Sequence, residues 1–431
     1  NAMRQALYIG AALMALAGLR PLARPAIVLA IPWPMVVGLL YCAFSLTWAI
    51  DPEIGARRLF LTFLVMWTAF ATVRNLGYDR ALAVLRWMLG AAVFVNIAVA
   101  VLAPQYGIHQ ANDVLDKNLI GDWRGFMVQK NHTAAATAFA ILAFAFGGGR
   151  LPWAIRLPVL LAASFLLYKT GSRTSLGLCI GVVAIGLFFL LYRARYRFAL
   201  LVAMIVGLMA AGNLIGFLRI DRLLTANSSR ELLSGRTDIW DAVFRYAKDS
   251  DYLGAGYGSF WEIGGRSPIF RYGNSWVVQL SQGHNGYLDL LATVGAVGLV
   301  VIVILSLAWP IARLLSSRGA EGHKGAMVLA MLVFVAGHNG TETSLFDRDS
   351  LPQVMLAIAL GLLGLVVEGW HVHPRARTGG RAFPGAGMNP AERLIAALRD
   401  PRISGEGTQA NRKGAGKDPA VKPPISLDQE C

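Results

Sequence analysis

His284 and Asn285 stand at the head of an apolar run, HNGYLDLLATVGAVGLVVIVILSLAW, that ends at Trp309. Apart from Asp289 and those two residues it is an ordinary membrane-helix sequence. A titratable imidazole at its mouth costs free energy unless it is hydrated, paired or used, and such groups in membrane segments are functional suspects. Nine residues separate Asn285 from Gly295, and Gly298 follows. This Gly-x-x-Gly pair lets another helix approach closely, which would fix the histidine against a neighbour. The competing reading is a hydrogen-bonded histidine at a helix end, with Asn285 as a cap.

Two arginines have the type and place to hold an anion. Arg236, in SGRTDIWDAVFRYAKDS, falls in the first turn of a helix that Ser234 would cap. Exposed N–H groups and a guanidinium fork suit phosphate oxygens. A solvated arginine paired with Asp238 or Glu231 is the alternative. Arg173, in GSRTS, is a second candidate at a membrane boundary, against which stands a snorkelling interfacial arginine. Along the Arg236 helix, Ile239, Trp240, Val243, Phe244 and Ala247 share one face. The many rings of this segment suit either sugar stacking or anchorage at the membrane interface. Asp249-Ser250-Asp251 and Asp347-Arg348-Asp349 pair carboxylates as a divalent-metal site would, but the pattern is short and common in polar loops. No metal is expected.

The elements that must position these groups are membrane helices. Of 431 residues, 55% are hydrophobic and 15% charged, with a mean hydropathy of +0.52, which excludes a soluble domain of this length. The net charge of +15 is concentrated in short loops and in the tail, pointing to anionic lipid headgroups and topology control rather than nucleic acid. Cys42, Cys179 and Cys431 show no disulfide or zinc spacing. Asn1-Ala2-Met3 reads as a cloning remnant. No Walker or Rossmann glycine pattern occurs, and no cofactor is expected.

Because about 20 apolar residues span a bilayer, some eleven candidate spans stand out, near 5–19, 26–48, 57–73, 81–103, 132–148, 154–168, 174–192, 198–218, 284–311, 325–340 and 351–370. Pro32 and Pro34 suggest a kinked helix or a re-entrant pair, so the expectation is an all-α polytopic integral membrane protein of about 10–12 transmembrane helices. Every second loop is basic: Arg20 and Arg24, Arg74 and Arg80, Arg150 and Arg156, Arg193 to Arg197, then Arg313, Arg318 and Lys324. Those loops should be cytoplasmic. The remaining loops should then face the periplasm of a Gram-negative cell: Asp51 and Glu53, 104–131, Lys169 to Arg173, the long 219–283 segment, and Glu342 to Asp349. Residues 1–370 form the expected membrane domain and 371–431 a disordered basic cytoplasmic tail.

HN-x9-GxxG after a long outer loop bearing SGRTDIW and GAGYGSF resembles the O-antigen ligase and polymerase family, whose members join lipid-linked glycans on the periplasmic face. WRGFMVQKNHTAA, Trp123 to Ala135, is similar to the segment before the fifth span in the exopolysaccharide-polymerisation branch, and SLTWAIDP, Ser45 to Pro52, resembles an early outer-edge motif. The resemblance covers roughly residues 45–310. It implies a GT-C-like architecture in the bacterial inner membrane and metal-independent, inverting transfer from an undecaprenyl-diphosphate-linked glycan donor. The implied acceptor is another glycan or lipid A core, and membrane lipids and a polysaccharide export machinery are further implied partners. By position, Arg173 and Arg236 match the family's diphosphate-binding arginines and His284 its essential histidine. Asn285, Lys130, Asn131, Asp238, Trp240, Gly295 and Gly298 are expected to support them. His338 repeats the GHNG string without the Gly-x-x-Gly and is secondary.

The chemistry suits these types. A sugar C1 leaves a diphosphate while an acceptor hydroxyl attacks from the opposite face, and an imidazole, whose ordinary pKa is near 6.5, is suited to take the proton. The arginines would stabilise the leaving charge. A transporter would need carboxylates near the bilayer midplane, and these spans nearly lack them. A membrane acyltransferase with a His-Asn pair is a third reading. The segment at 104–131 favours polymerase over ligase.

Overall fold

The computed structural model describes residues 2–19, 29–111, 119–149, 151–196, 236–274, 276–320, 322–348 and 350–367. These belong to one compact unit, and its regular elements are helices: α1 (Ala2–Leu19), α2 (Trp33–Ser45), α3 (Pro52–Leu76), α4 (Tyr78–Leu102), α5 (Lys130–Ala145), α6 (Trp153–Lys169), α7 (Arg173–Leu191), α8 (Arg236–Asp249), α9 (Gly286–Val303), α10 (Trp309–Ser316), α11 (His323–His338) and α12 (Leu351–Val367). One π-helical turn, Ile304–Ala308, joins α9 to α10. Helices thus form over ten of the eleven expected runs; the run at 198–218, the residues Ser234 and Glu231, and the tail lie outside the described residues. Among the described residues, four stretches are long and apolar enough to cross a bilayer: Pro52–Leu76, Tyr78–Leu102, Arg173–Leu191 and Gly286–Ser316. The chain is an all-α polytopic membrane protein.

Local chemistry explains the helix ends. Asp51 accepts the N–H of Ile54 at 3.0 Å and Pro52 takes the first helical position, where its missing N–H costs nothing. Pro32 and Pro34 act likewise. They start α2 at Trp33 rather than kink a longer helix, so the expected 26–48 span is shorter than its hydropathy suggested. Helix α11 forms the centre of the bundle, with Ala326, Met327, Val328, Leu332, Phe334 and Val335 fully buried. The alanine-rich α5 packs closely on it, and Phe139 meets Phe334 edge-on at 5.0 Å.

A second, smaller core lies in the long loop. Ile239, Ala242, Val243, Tyr246 and Ala247 of α8 pack with Phe260, Trp261, Ile269 and Val277 and with Leu288, Leu291 and Ala292 of α9. The buried face is rotated from the expected one, for Phe244 is 52% exposed while Ala242 and Tyr246 point inward. The two motifs SLTWAIDP and GAGYGSF prove to be halves of one clasp. Tyr257 N donates to Ser45 Oγ at 2.9 Å, Ser259 Oγ donates to the Asp51 carbonyl at 2.9 Å, and Arg58 donates to the carbonyls of Gly258 and Trp261, each at 2.7 Å.

Gly295 has a role different from the expected helix–helix contact. It breaks α9, with φ +74° and ψ −176°, and the loop docks into the break. Ala255 N donates to Ala292 O and Ala296 N donates to Tyr252 O, both at 2.8 Å. Ala292 O and Ala296 N are the i→i−4 partners that the break separates, so loop backbone replaces the lost helical bond. A Cβ at Gly295 would lie 2.4 Å from the carbonyl oxygens of Tyr252 and Leu253. Gly298 does admit a neighbour closely, the Tyr41 ring of α2, which a Cβ there would meet at 2.5 Å. Gly295→Ala is therefore expected to destabilise the purified protein by about 1–3 kcal/mol through left-handed strain alone, with more from the overlap. Thermal unfolding in detergent measures it, and an unchanged midpoint would contradict the docked break.

Candidate functional site

The sequence Gly-His-Asn-Gly occurs at 283–286, entering α9, and at 337–340, leaving α11. The two copies meet. Gly286 N donates to Asn339 O at 2.8 Å, and a Cβ on Gly286 would collide with the Asn339 amide. Asn285 caps α9, its Oδ1 accepting from Tyr287 N at 3.1 Å and Leu288 N at 3.2 Å. Asn339 Oδ1 accepts from Ser344 N and Leu345 N and so shapes the loop after α11. His284 sits between these fixed points with φ +48°, in the left-handed region. That conformation costs about 1–2 kcal/mol for a residue with a Cβ. The Trp240 indole helps to hold it, donating from Nε1 to the Gly283 carbonyl at 3.1 Å.

The loop that Asn339 shapes delivers Glu342, and the site is organised about its carboxylate. Oε1 accepts from Arg236 Nη2 at 2.8 Å and from Asn131 Nδ2 at 2.7 Å, and Oε2 lies 3.1 Å from His284 Nδ1. Glu342 is 8% exposed. Burial alone would raise its carboxyl, but the hydrogen bond from His284 and the charges of His284, Arg236 and His338 outweigh it and hold the group below the ordinary carboxylate value. An ionised carboxylate only accepts. It therefore places the imidazole proton on Nδ1 and leaves Nε2, which has no hydrogen-bond partner among the described residues, able to take a proton.

Of the residues expected to act together, Asn131, Arg236, His284, Asn285 and Trp240 converge here. Arg236 pairs with Glu342 rather than with Asp238, and Asn274 Nδ2 approaches Asp238 at 3.4 Å. Lys130 turns away to Asp122, at 2.5 Å. His338 is buried, stacked on Phe334 at 5.6 Å with Nδ1 3.2 Å from Ser344 Oγ. Arg173 opens α7, exposed and without a hydrogen bond or ion pair among the described residues. Gly337 packs against Leu178, so the start of α7 lies at the same end of the bundle as the close of α11. Glu342 is the residue that sequence reasoning missed. Its one signal is its place two residues after the second GHNG string.

A bundle of apolar helices with a histidine–carboxylate–arginine cluster at one end defines the class, and comparison with known proteins refines it. Residues 158–303 match the family model described as O-antigen ligase (Wzy_C), a stretch that contains Arg173, Arg236, His284, Gly295 and Gly298 but not Asn131 or Glu342. Over that stretch the chain is similar to O-antigen ligases. It is 25% identical over 244 residues to the exopolysaccharide production protein ExoQ of Rhizobium meliloti (strain 1021), a match that takes in 54% of this chain and 53% of that protein. The chain thus spans about half the length of the curated relative it matches.

Proposed function

We propose that this chain is a membrane glycosyltransferase that moves an undecaprenyl-diphosphate-linked oligosaccharide onto an acceptor hydroxyl at the periplasmic face of the bacterial inner membrane, polymerising an exopolysaccharide or O-antigen. The observation that carries the reading is the His284–Glu342–Arg236 cluster, whose His284 and Arg236 fall within the matched stretch. In the step, the acceptor oxygen attacks the sugar C1 and its proton passes to His284 Nε2. The C1–O bond breaks and its electron pair leaves with undecaprenyl diphosphate, inverting the anomeric centre. Arg236 keeps the donors it does not spend on Glu342, and Arg173 offers an exposed guanidinium at the first turn of α7; together they stabilise the leaving diphosphate without a metal. The resemblance of this chain to an exopolysaccharide production protein favours polymerase over ligase.

Reconstitution in proteoliposomes with a defined undecaprenyl-diphosphate oligosaccharide, with and without lipid A core, tests this. The expected product is a ladder of longer lipid-linked glycans with release of undecaprenyl diphosphate. Transfer to core alone would assign a ligase, and an intact donor in both arms would overturn the enzyme reading in favour of transport. In the same assay Arg173→Ala and Arg236→Ala are each expected to lower turnover by about 10–100-fold, a loss of about 1.4–2.7 kcal/mol. Lysine should restore only part, since a point charge does not reproduce a fork. Normal turnover in both alanine variants would remove the anion-binding role.

A further inference from the structure

Asp289 lies in the first turns of α9 with its carboxylate buried, 6% exposed, and no ion pair among the described residues. Its Oδ1 accepts from Trp261 Nε1 at 2.7 Å and from Gly283 N at 3.1 Å, and its Oδ2 from Gly283 N at 3.1 Å and from the Thr343 hydroxyl. An indole and a backbone amide can only donate, so the surroundings suit an ionised carboxylate. The approach is close enough to require glycine, because a Cβ on Gly283 would lie 2.6 Å from Asp289 Oδ1.

The chain positions of these donors give the arrangement its meaning. Gly283 is the residue before His284, and Thr343 is the residue after Glu342. One carboxylate therefore grips the backbone on the histidine side and the side chain next door on the glutamate side, while Trp261 anchors it to the small core of the long loop. The titratable and charged groups around the His284–Glu342 pair are Arg236 from the start of α8, His132 from α5 and His338 from the end of α11, with Asp289 of α9 behind the imidazole.

We propose that Asp289 is a positioning residue that sets the geometry of the His284–Glu342 pair through Gly283 and Thr343, and whose negative charge stabilises the imidazolium formed when His284 takes the acceptor's proton. This rests on His284 serving as the base. A neutral side chain could hold the same amide, but it would not favour the charged histidine.

The test compares Asp289→Asn, Thr343→Val, His284→Gln and the unaltered full chain in proteoliposomes, using an undecaprenyl-diphosphate oligosaccharide as the probe. Asparagine is nearly isosteric and can still accept from Gly283 while donating to Thr343. Asp289→Asn is expected to lower kcat by about 10–100-fold with donor KM within about threefold. The acid limb of its kcat–pH profile should move to lower pH by about 0.5–1 unit, since removing a nearby negative charge weakens the imidazole's hold on a proton. Thr343→Val keeps the volume and removes the hydroxyl. It should lower kcat severalfold with the donor KM preserved, and it carries the test if the asparagine variant does not fold. Lost kcat with an unmoved acid limb in Asp289→Asn, or unchanged kcat in Thr343→Val, overturns the proposal. If His284→Gln itself turns over normally, the reading of His284 as base has failed instead, which separates the two ideas.

Discussion

His284→Gln is expected to lower glycan transfer by about 10²–10⁴-fold, the usual contribution of a positioned general base. Donor affinity should change little. Glutamine keeps a hydrogen-bonding group of similar reach, so Asn285 can still cap α9 and Glu342 can still receive a donor. What it lacks is a nitrogen that takes a proton at neutral pH. His284→Ala should fail to the same degree, and His338→Ala should be milder, because that imidazole is buried against Phe334 and is engaged by Ser344. The measurement is kcat beside donor affinity in purified protein of matched folded content. Near-normal turnover in the glutamine variant would reduce His284 to an orienting group, and a selective loss of donor affinity would move it to the diphosphate.

Glu342→Gln is expected to lower kcat by about 10²–10³-fold, for a reason that the geometry makes specific. Arg236 and Asn131 both donate to the Oε1 position, so the oxygen of a glutamine is claimed there. Its NH2 must then face His284 Nδ1, where the carboxylate had accepted. That amide donates to Nδ1 and drives the imidazole proton to Nε2, the wrong nitrogen for accepting one. Glu342→Asp, which retains the charge, should recover part of the rate. Stability has a defined sign as well. Because the folded carboxyl is held below its ordinary value, its stabilising contribution is fully present above the unfolded carboxylate pKa and is lost as pH falls through the lowered folded value. The difference in thermal midpoint between the wild type and the glutamine variant should therefore be flat from about pH 6 to 8 and shrink only in acid. Wild-type kcat in Glu342→Gln would show that the carboxylate has no part in orienting the base.

Much of the architecture is local in origin and hence legible. A run of apolar side chains forms a helix wherever its backbone must be satisfied in lipid, so Tyr78–Leu102 and Arg173–Leu191 follow from hydropathy with small errors at their ends. Asn285 as an N-cap and Pro52 at a helix start are likewise written in the few residues around them. Lys130 and Asn131 show where locality stops. They are adjacent in the chain, yet one serves Asp122 and the other Glu342. Phe244 is another case, since an amphipathic pattern identifies a helix without specifying which side chain the neighbouring core accepts.

By itself, then, the sequence determined that the chain is an α-helical membrane protein and that His284 and Arg236 are residues of the kind and spacing to handle a proton and an anion. Tertiary structure alone decided that they share a carboxylate. Glu342 stands 58 residues from His284, 106 from Arg236 and 211 from Asn131, and its nearness to the second GHNG string does not say which residues it will meet. It takes the contact of the two GHNG strings, through Gly286 and Asn339, to bring the α11–α12 loop against the mouth of α9. Gly295 depends on the fold in the same way. Its spacing signals close packing, but only the docked loop, supplying partners for Ala292 O and Ala296 N, makes a broken helix cheaper than a continuous one, because a backbone group left unpaired in an apolar core costs more than the turn that satisfies it.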